Sequence, residues 1–494
     1  MESTNFIAEA LHINAKQAMA LLPYLILSCG ILVSVIAAGF RSSRGVLRVV
    51  TFLTMVPFVG ILLYELRMPV VSLFGGALSI DPMTRLVGAV IGALALVVSL
   101  FTRTYSSDHE NSEWLSFLLI STLGLALLPA CSDFVTFFVL LETASISGYL
   151  LAASDRKRVL SLEAGLKYLL TGAFASGILL MGVAQIYGYV GSLDYAAVSK
   201  FLETAGPNVP LMMHVASILV MVAFAYKVGL APFHMWSPDV YQGGPTALSA
   251  YLATATKVAL FSSFAVVLYS TGLIKLTYVQ QGLYALGLIS VIVGSLMALI
   301  QSQLKRMLAY SGVANAGYAT FALISGTAAL GPMFSFLSLY ALALIIGFAF
   351  AQEATLKEGA QSHADVEITG LDAKAPRLST ASKALFTVAM FSLAGIPPFP
   401  GFLAKYQILS QVWSAGFVWG AALILVGSIL GIGYYLRTLV PLFMKNLEEG
   451  VDAQARFFGA PTFVAAVATV MLLAVLLGFS RVNQWVDYVA FFAR

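Results

Sequence analysis

The stretch MVAFAYKVGLAPFHMWSPDVYQGGPT, residues 221–246, begins as apolar membrane helix and then changes character. Lys227 lies among apolar residues, Pro232 follows five residues later, and His234, Trp236, Pro238 and Asp239 come next. Packing alone gives no reason to place an ammonium beside a helix break. What surrounds this stretch decides both the architecture and the chemistry.

The chain of 494 residues is 60% hydrophobic and 10% charged, with a mean hydropathy of +0.90. Soluble domains carry about 25% charged residues, so the composition specifies an all-α polytopic membrane protein in contact with membrane lipids. The net charge of +4 comes from short basic clusters between apolar runs. That is the pattern of a topology signal, and it excludes a nucleic-acid-binding face. Cys29 and Cys131 stand in or at the edge of apolar segments, with no CxxC and no Cys/His cluster. The sequence therefore encodes no zinc site, iron–sulfur cluster or disulfide scaffold. His12, His109, His214 and His363 are scattered and show no axial-ligand pairing for a haem. The polar start MESTNFIAEALHINAKQ lacks a basic leader and a small-residue cleavage site, so it is expected to be retained.

About 20 apolar residues span the hydrocarbon. On that ruler fourteen spans are expected: 18–40, 45–64, 83–103, 113–130, 132–152, 161–189, 211–240, 245–271, 277–300, 304–327, 331–352, 381–410, 413–440 and 459–480. The fourth and fifth are separated only by Cys131, Ser132 and Asp133, and residues 68–82 have the length of a re-entrant or surface hairpin. Lys and Arg concentrate after odd-numbered spans, at Arg41, Arg44, Arg48, Arg103, Arg156, Lys157, Arg158, Lys305, Arg306, Lys357, Lys374, Arg377, Lys445 and Arg456. Loops after even-numbered spans hold little beyond Arg67, Lys200 and Lys275. The positive-inside rule then puts the odd loops in the cytoplasm and both termini on the periplasmic side.

Inside these spans ionisable residues are few: Glu142, Glu163, Lys167, Lys227, Lys257 and Lys405. Each costs about 2.5–3.5 kcal/mol at a helix centre, so together they cost on the order of 15 kcal/mol unless paired or hydrated. The alternative for any one of them is a snorkelling side chain near a helix end. That alternative weighs most for Glu163 and Lys167, close to the basic loop 156–158, and least for the other four. One acid followed by several lysines suits a proton path, because a lysine in a dry site gives up its proton and takes it back beside a carboxylate. With Glu142 close, Lys227 is held charged; with Glu142 moved away, the proton passes on.

VGLAPF at 228–233 and AGIPPF at 394–399 interrupt the seventh and twelfth spans, each with a lysine nearby. Proline kinks are common in membrane helices, and six residues built from Gly, Pro and Phe are weak evidence alone. The lysines strengthen the pairing, since irregular backbone at membrane depth survives only where it is buried in protein or lines a wet cavity. An offset of five spans implies two five-helix units, spans 4–8 and 9–13, and because five is odd the units are inverted. The expected divisions are 1–112, 113–271, 272–440 and 441–494.

KVGLAPFHMWSPDVYQGGPTALSAYLATATKVALF, LMALIQSQLKRMLAYSGVANAGYATFALISG at 296–326 and SLAGIPPFPGFLAKYQIL at 392–409 resemble the antiporter-like membrane subunits of respiratory complex I, the bacterial proton-pumping NADH:quinone oxidoreductase. The likeness extends over roughly residues 80–445. It implies fourteen helices with two inverted five-helix repeats, broken helices seven and twelve, and proton translocation coupled to NADH oxidation and quinone reduction in other subunits. By position, Glu142 resembles the fifth-span glutamate, Lys227 its seventh-span partner, Lys257 the eighth-span bridging lysine and Lys405 the twelfth-span lysine that exchanges protons with the outer side. His234 matches a histidine between Lys227 and Lys257, and Glu163 and Lys167 match a sixth-span pair of less defined role.

Of the three paralogous branches, subunit M has a glutamate where this chain has Lys405, and subunit L carries a long C-terminal lateral helix. The wording PFHMWSPDVYQGGPT is closer to the N branch. The resemblance implies no cofactor in this chain, with FMN, iron–sulfur clusters and the quinone site in other subunits. It also implies assembly with subunits M, K and J in a complex that contains L, A and H, in the bacterial inner membrane. The nearest alternative is a subunit of a multi-subunit sodium/proton antiporter or membrane-bound hydrogenase.

Overall fold

The computed structural model describes residues 14–40, 44–100, 113–356, 366–371, 378–443 and 465–469. Among them are seventeen α-helices and one two-stranded hairpin. In chain order the first elements are α1 (Ala15–Gly39), α2 (Arg44–Tyr64), β1 (Val71–Leu73), β2 (Leu78–Ile80), α3 (Pro82–Ser99), α4 (Trp114–Leu127), α5 (Phe134–Ala152) and α6 (Val159–Val190). Then come α7 (Tyr195–Ala205), α8 (Leu211–Val228), α9 (Trp236–Gly243), α10 (Thr246–Ala253), α11 (Ala255–Ser270) and α12 (Thr277–Ile300). The last are α13 (Leu304–Ile324), α14 (Leu330–Leu356), α15 (Thr380–Ala394), α16 (Pro400–Ser414) and α17 (Val418–Phe443).

Local signals set many of the boundaries. Asn14 and Gln17 form a reciprocal capping box at α1, Asp81 caps α3 by accepting from the Thr84 amide at 2.6 Å, and Asp133 caps α5 from Val135 and Thr136. Each supplies an acceptor to amides that have no partner inside the helix. The stretch 68–82 is a surface hairpin with Val71 opposite Ile80. It is anchored to the helices at several points: Arg85 donates to the Met68 and Pro69 carbonyls, Gln17 donates to Ser72, and the Ser132 amide donates to Ala77.

Eleven described helical segments are long and apolar enough to span a membrane, and Trp114–Ala130 and Thr380–Ala394 are shorter apolar helices. These thirteen coincide with the first thirteen expected spans. The fourteenth, 459–480, lies outside the described residues except for 465–469, which are helical. The basic residues Arg41, Arg103, Lys357, Lys374, Arg377, Lys445 and Arg456 also lie outside them.

Three spans are interrupted. The seventh stops at Val228, before Pro232, because Gly229 turns left-handed at φ 75° and takes up the last carbonyls. The helix resumes only at Trp236. The twelfth stops at Ala394 in the same manner, with Gly395 at φ 77°. The eighth, expected to be continuous, is interrupted at Thr254, whose φ −119°, ψ −84° leaves the helical region. The Thr254 hydroxyl bonds the Ala250 carbonyl at 2.6 Å, a back-bond that bends helices. The additional helix α7 lies where a loop was expected and buries Tyr195 and Val198.

Burial grades inward. The apolar stretch of α13 is 100% buried, that of α14 94% and that of α10–α11 89%, against 33% for α1 and for α2. The outer helices present rows of exposed Leu, Val, Ile and Phe, such as Leu162, Leu166, Leu170 and Phe174 on α6, which suits a lipid-facing surface. Lys227 and Lys257 thus lie inward of this ring, on α8 and α11.

Glycines allow the closest helix contacts. A Cβ on Gly294 of α12 would meet the Ala314 amide and, at 2.9 Å, the Tyr310 carbonyl of α13, both backbone atoms that cannot yield. Gly294→Ala is expected to cost about 1–3 kcal/mol by overpacking, read as a lowered thermal midpoint of the purified protein. Gly177→Ala, where nothing lies within 4 Å, should leave the midpoint unchanged.

Candidate functional site

The last turn of α8 carries Lys227, and the left-handed Gly229 closes that helix with paired bonds from the Gly229 amide to Tyr226 (3.0 Å) and the Leu230 amide to Ala225 (2.8 Å). A cation in this turn faces the negative end of the helix dipole. Its ammonium donates to Glu142 Oε1 of α5 at 3.1 Å and to Ser145 Oγ at 3.0 Å. Ser176 of α6 donates to the same Glu142 oxygen at 2.6 Å. The two side chains are 8% and 18% exposed, so the pair is largely dry. Two small cavities meet at Lys227. One is lined by apolar groups including Phe137, Leu179 and Phe264. The other is lined in part by Ser121, Ser145, Tyr168 and Thr256, polar enough to hold a water.

Lys257 and Lys405 are buried without a carboxylate partner among the described residues. Lys257, just past the Thr254 interruption, donates to the Gly312 carbonyl of α13 at 2.5 Å. Lys405, on α16, reaches back to the Leu393 and Ala394 carbonyls at 2.7 and 3.3 Å. These are terminal carbonyls of α15, left without helical partners, at the negative end of its dipole. Gly401 makes the approach possible, because a Cβ there would collide with the Ser392 carbonyl. One turn later Lys405 is aimed at the helix end. Its ammonium also lies 5.9 Å from the Tyr318 ring centroid, in range of a cation–π attraction.

His234 follows the first interruption, buried, with its ring against Tyr310 at 5.8 Å and Nδ1 without a partner among the described residues. No hydrogen bond joins it to Lys227 or Lys257 there. Trp236 stacks on Tyr168 at 4.7 Å and donates to the Tyr226 carbonyl, packing the segment after the break onto α6 and α8.

Glu163 and Lys167 pair at 2.7 Å, but both are nearly half exposed. Asp239, which has no role expected from the sequence, joins them, bonding Lys167 at 2.9 Å and Arg306 of α13 at 2.8 Å. Its carboxyl is central to a network that also contains Gln242 and Gln303. Lys305 is expected from the sequence as a loop charge. Instead it is 3% exposed and donates to the Gln242 and Gly244 carbonyls. The signal for both was present, since an SPD segment after a break and a KR pair at a helix start are polar groups next to orphaned backbone. Among the described residues no three His, Cys, Asp or Glu side chains group as metal ligands.

Residues 131–431 match the family model described as NADH:quinone oxidoreductase/Mrp antiporter, transmembrane. The chain belongs to this family. NADH-quinone oxidoreductase subunit N of Trichlorobacter lovleyi is 35% identical over 386 residues, 77% of this chain and 78% of that one. The subunit N of Acinetobacter baumannii is 37% identical over 411 residues, 81% of each. A chain of respiratory complex I from Thermus thermophilus, solved with aureothin, superposes with a TM-score of 0.74 at 29% identity, covering 94% of this chain and 98% of that one. The N branch expected from the wording around 234–246 agrees with the named relatives, and the chain is a multi-pass membrane subunit of this kind.

The two ion-pair groups differ in what their loss should do. Glu142→Ala leaves a buried ammonium uncompensated, which costs about 3–5 kcal/mol, and the double variant Glu142→Gln with Lys227→Met should recover much of that loss. Asp239→Ala acts on half-exposed pairs worth about 0–1 kcal/mol each. Thermal midpoints of the solubilised protein should fall clearly for the first, partly recover for the double variant and barely move for the third.

Proposed function

We propose that Glu142, Lys227, Lys257 and Lys405 carry protons across this chain, driven by NADH oxidation and quinone reduction in other subunits of the same complex. The observation that carries this reading is the unequal pairing of three buried lysines. Lys227 has a carboxylate at 3.1 Å, while among the described residues Lys257 and Lys405 hydrogen-bond only backbone carbonyls. At an effective dielectric constant near 20 a carboxylate at that distance is worth roughly 5 kcal/mol to the charged amine. A neutral carbonyl offers far less. Moving Glu142 away from Lys227, or protonating it, therefore makes the Lys227 proton the one to leave. The next sites accept and release it without an acid to trap it.

In this scheme the ammonium of Lys227 becomes an amine as a proton passes, by way of His234 and water, to the amine of Lys257. Lys257 then returns to an amine as Lys405 becomes an ammonium. His234 holds the intervening position, and Glu163, Lys167, Asp239 and Arg306 form the polar cluster from which protons are drawn. That cluster lies around the start of α13, the end expected on the cytoplasmic side. The matching interruptions support two inverted units at 113–271 and 272–440: Gly229 and Gly395 share φ near 75° and the same paired amide bonds. A further parallel lies in the packing. Gly124 meets the Leu140 carbonyl and Ala144 amide as Gly294 meets the Tyr310 carbonyl and Ala314 amide, every residue displaced by 170 positions.

The redox groups, FMN and iron–sulfur clusters, and the quinone site belong to other chains in this reading. Subunits K, J and M are the immediate neighbours in the bacterial inner membrane, and both termini face the periplasm. The sodium/proton antiporter alternative gains no specific support, since the named relatives at 35–37% identity are subunits N.

The test is Lys227→Ala in membrane vesicles, with assembly checked by native gel and NADH-driven quinone reduction followed alongside proton uptake. The reading predicts an assembled complex whose proton uptake falls at least several-fold. Full uptake at the normal rate contradicts it.

A further inference from the structure

The 170-residue displacement that relates the Gly124 and Gly294 contacts puts Gly312 at the position of Glu142 and Asn315 at that of Ser145. The first unit thus carries a carboxylate where the second carries no side chain at all. The room is occupied. A Cβ on Gly312 would lie 2.9 Å from Lys257 Nζ and 3.4 Å from the Tyr340 hydroxyl. The ammonium of Lys257 has entered the space that an acid would fill, and it bonds the Gly312 carbonyl there. Tyr340, on α14, is 6% exposed, and its hydroxyl has no hydrogen-bond partner among the described residues. Among the described residues the Asn315 Oδ1 and Tyr435 hydroxyl likewise lack a well-formed hydrogen bond, although the Ser311, Asn315, Tyr340 and Tyr435 side chains neighbour one another, while the Asn315 amide nitrogen is occupied by the Ser311 carbonyl at 2.7 Å. Unsatisfied polar atoms of this kind are rare in folded interiors and ask for an explanation.

The same tyrosine also faces the other lysine. Tyr340, Ser392, Leu393, Gly401 and Lys405 line one cavity. Tyr340 is therefore shared by the surroundings of Lys257 on one side and Lys405 on the other.

We infer that Gly312 is the berth of the Lys257 ammonium and that the Tyr340 hydroxyl is the relay from that berth to Lys405. The inference rests on the proton-carrying reading above and assigns its last transfer. A proton leaves Lys257 Nζ for the Tyr340 oxygen as the phenolic proton leaves that oxygen, through a water in the shared cavity, for the Lys405 amine. Tyr340 is neutral before and after, Lys257 ends as an amine and Lys405 as an ammonium. Gly312 acts by position only. A methyl group there displaces the ammonium from its carbonyl and from the tyrosine.

The assembled complex tests this in membrane vesicles with Tyr340→Phe, which keeps the ring and removes only the hydroxyl. NADH-driven quinone reduction, proton uptake and the solvent deuterium isotope effect on uptake are measured together, with Lys227→Ala as reference. The expected result is normal assembly, uptake reduced at least five-fold, and an isotope effect that differs from the unmodified protein. Gly312→Ala should reproduce the loss of uptake. Full uptake and an unchanged isotope effect in Tyr340→Phe, with Lys227→Ala defective, overturn the relay and leave the general reading standing. Full uptake in both variants overturns the general reading and the relay with it. A Tyr340→Phe protein that fails to assemble would make the hydroxyl structural and also overturn the relay.

Discussion

Keeping ammonium groups inside a protein layer as thick as a bilayer is the constraint on which the rest of this structure depends. An isolated charge there is costly, and pairing every lysine with its own acid would fix the protons in place. The chain uses helix ends. α8 and α15 both stop at a left-handed glycine part-way along an expected span. Each stop exposes terminal carbonyls and the negative end of a dipole at a depth where neither is otherwise present. Lys227 is part of one such end, and Lys405 reaches back to the other across Gly401. Lys257 takes a single carbonyl made reachable by Gly312. Among the described residues Glu142 is the carboxylate partner found for these three lysines, and it pairs with Lys227.

The surrounding architecture follows from that need. Carbonyl acceptors hold a cation only if water and lipid are kept from competing, and among the described spans α10–α11, which carries Lys257, and its neighbours α13 and α14 are the most buried. Helices α1, α2 and α17 expose apolar side chains and serve as the wall. Small residues at the crossings let backbones approach closely enough for a lysine on one helix to reach a carbonyl on the next. The aromatic stack of Tyr168 and Trp236 holds the segment after the first interruption against α6, so Asp239 in the first turn of α9 stays beside Lys167 and Arg306.

Much of this was legible in the sequence because membrane helices must satisfy two simple requirements, length and apolarity. Spans, interruptions and the few charges inside apolar runs all register on a scale of residues per turn. The pairing of Glu142 with Lys227 followed from the cost of leaving either alone. What escaped depended on distances between helices. Gly312 looks like any glycine until Lys257 is seen in the space it leaves, and Tyr340 looks like one of 21 tyrosines. The interruption at Thr254 has no proline or glycine to mark it; there the back-bonded hydroxyl of a single threonine accompanies the bend. Lys305 and Arg306 read as loop charges in the sequence because a KR pair at a helix start is usually a topology signal, whereas here it reaches inward to carbonyls and to Asp239.

The central claim is that a buried lysine on helix-end carbonyls works by giving up its proton, not by its charge alone. Lys405→Arg separates these two properties. An arginine keeps a cation at the end of α15 but holds its proton at every accessible pH. In inside-out membrane vesicles with the complex assembled, the account predicts that this variant loses most NADH-driven proton uptake even though the charge is preserved. Wild-type proton uptake per NADH oxidised in Lys405→Arg would contradict it, because a fixed positive charge would then suffice.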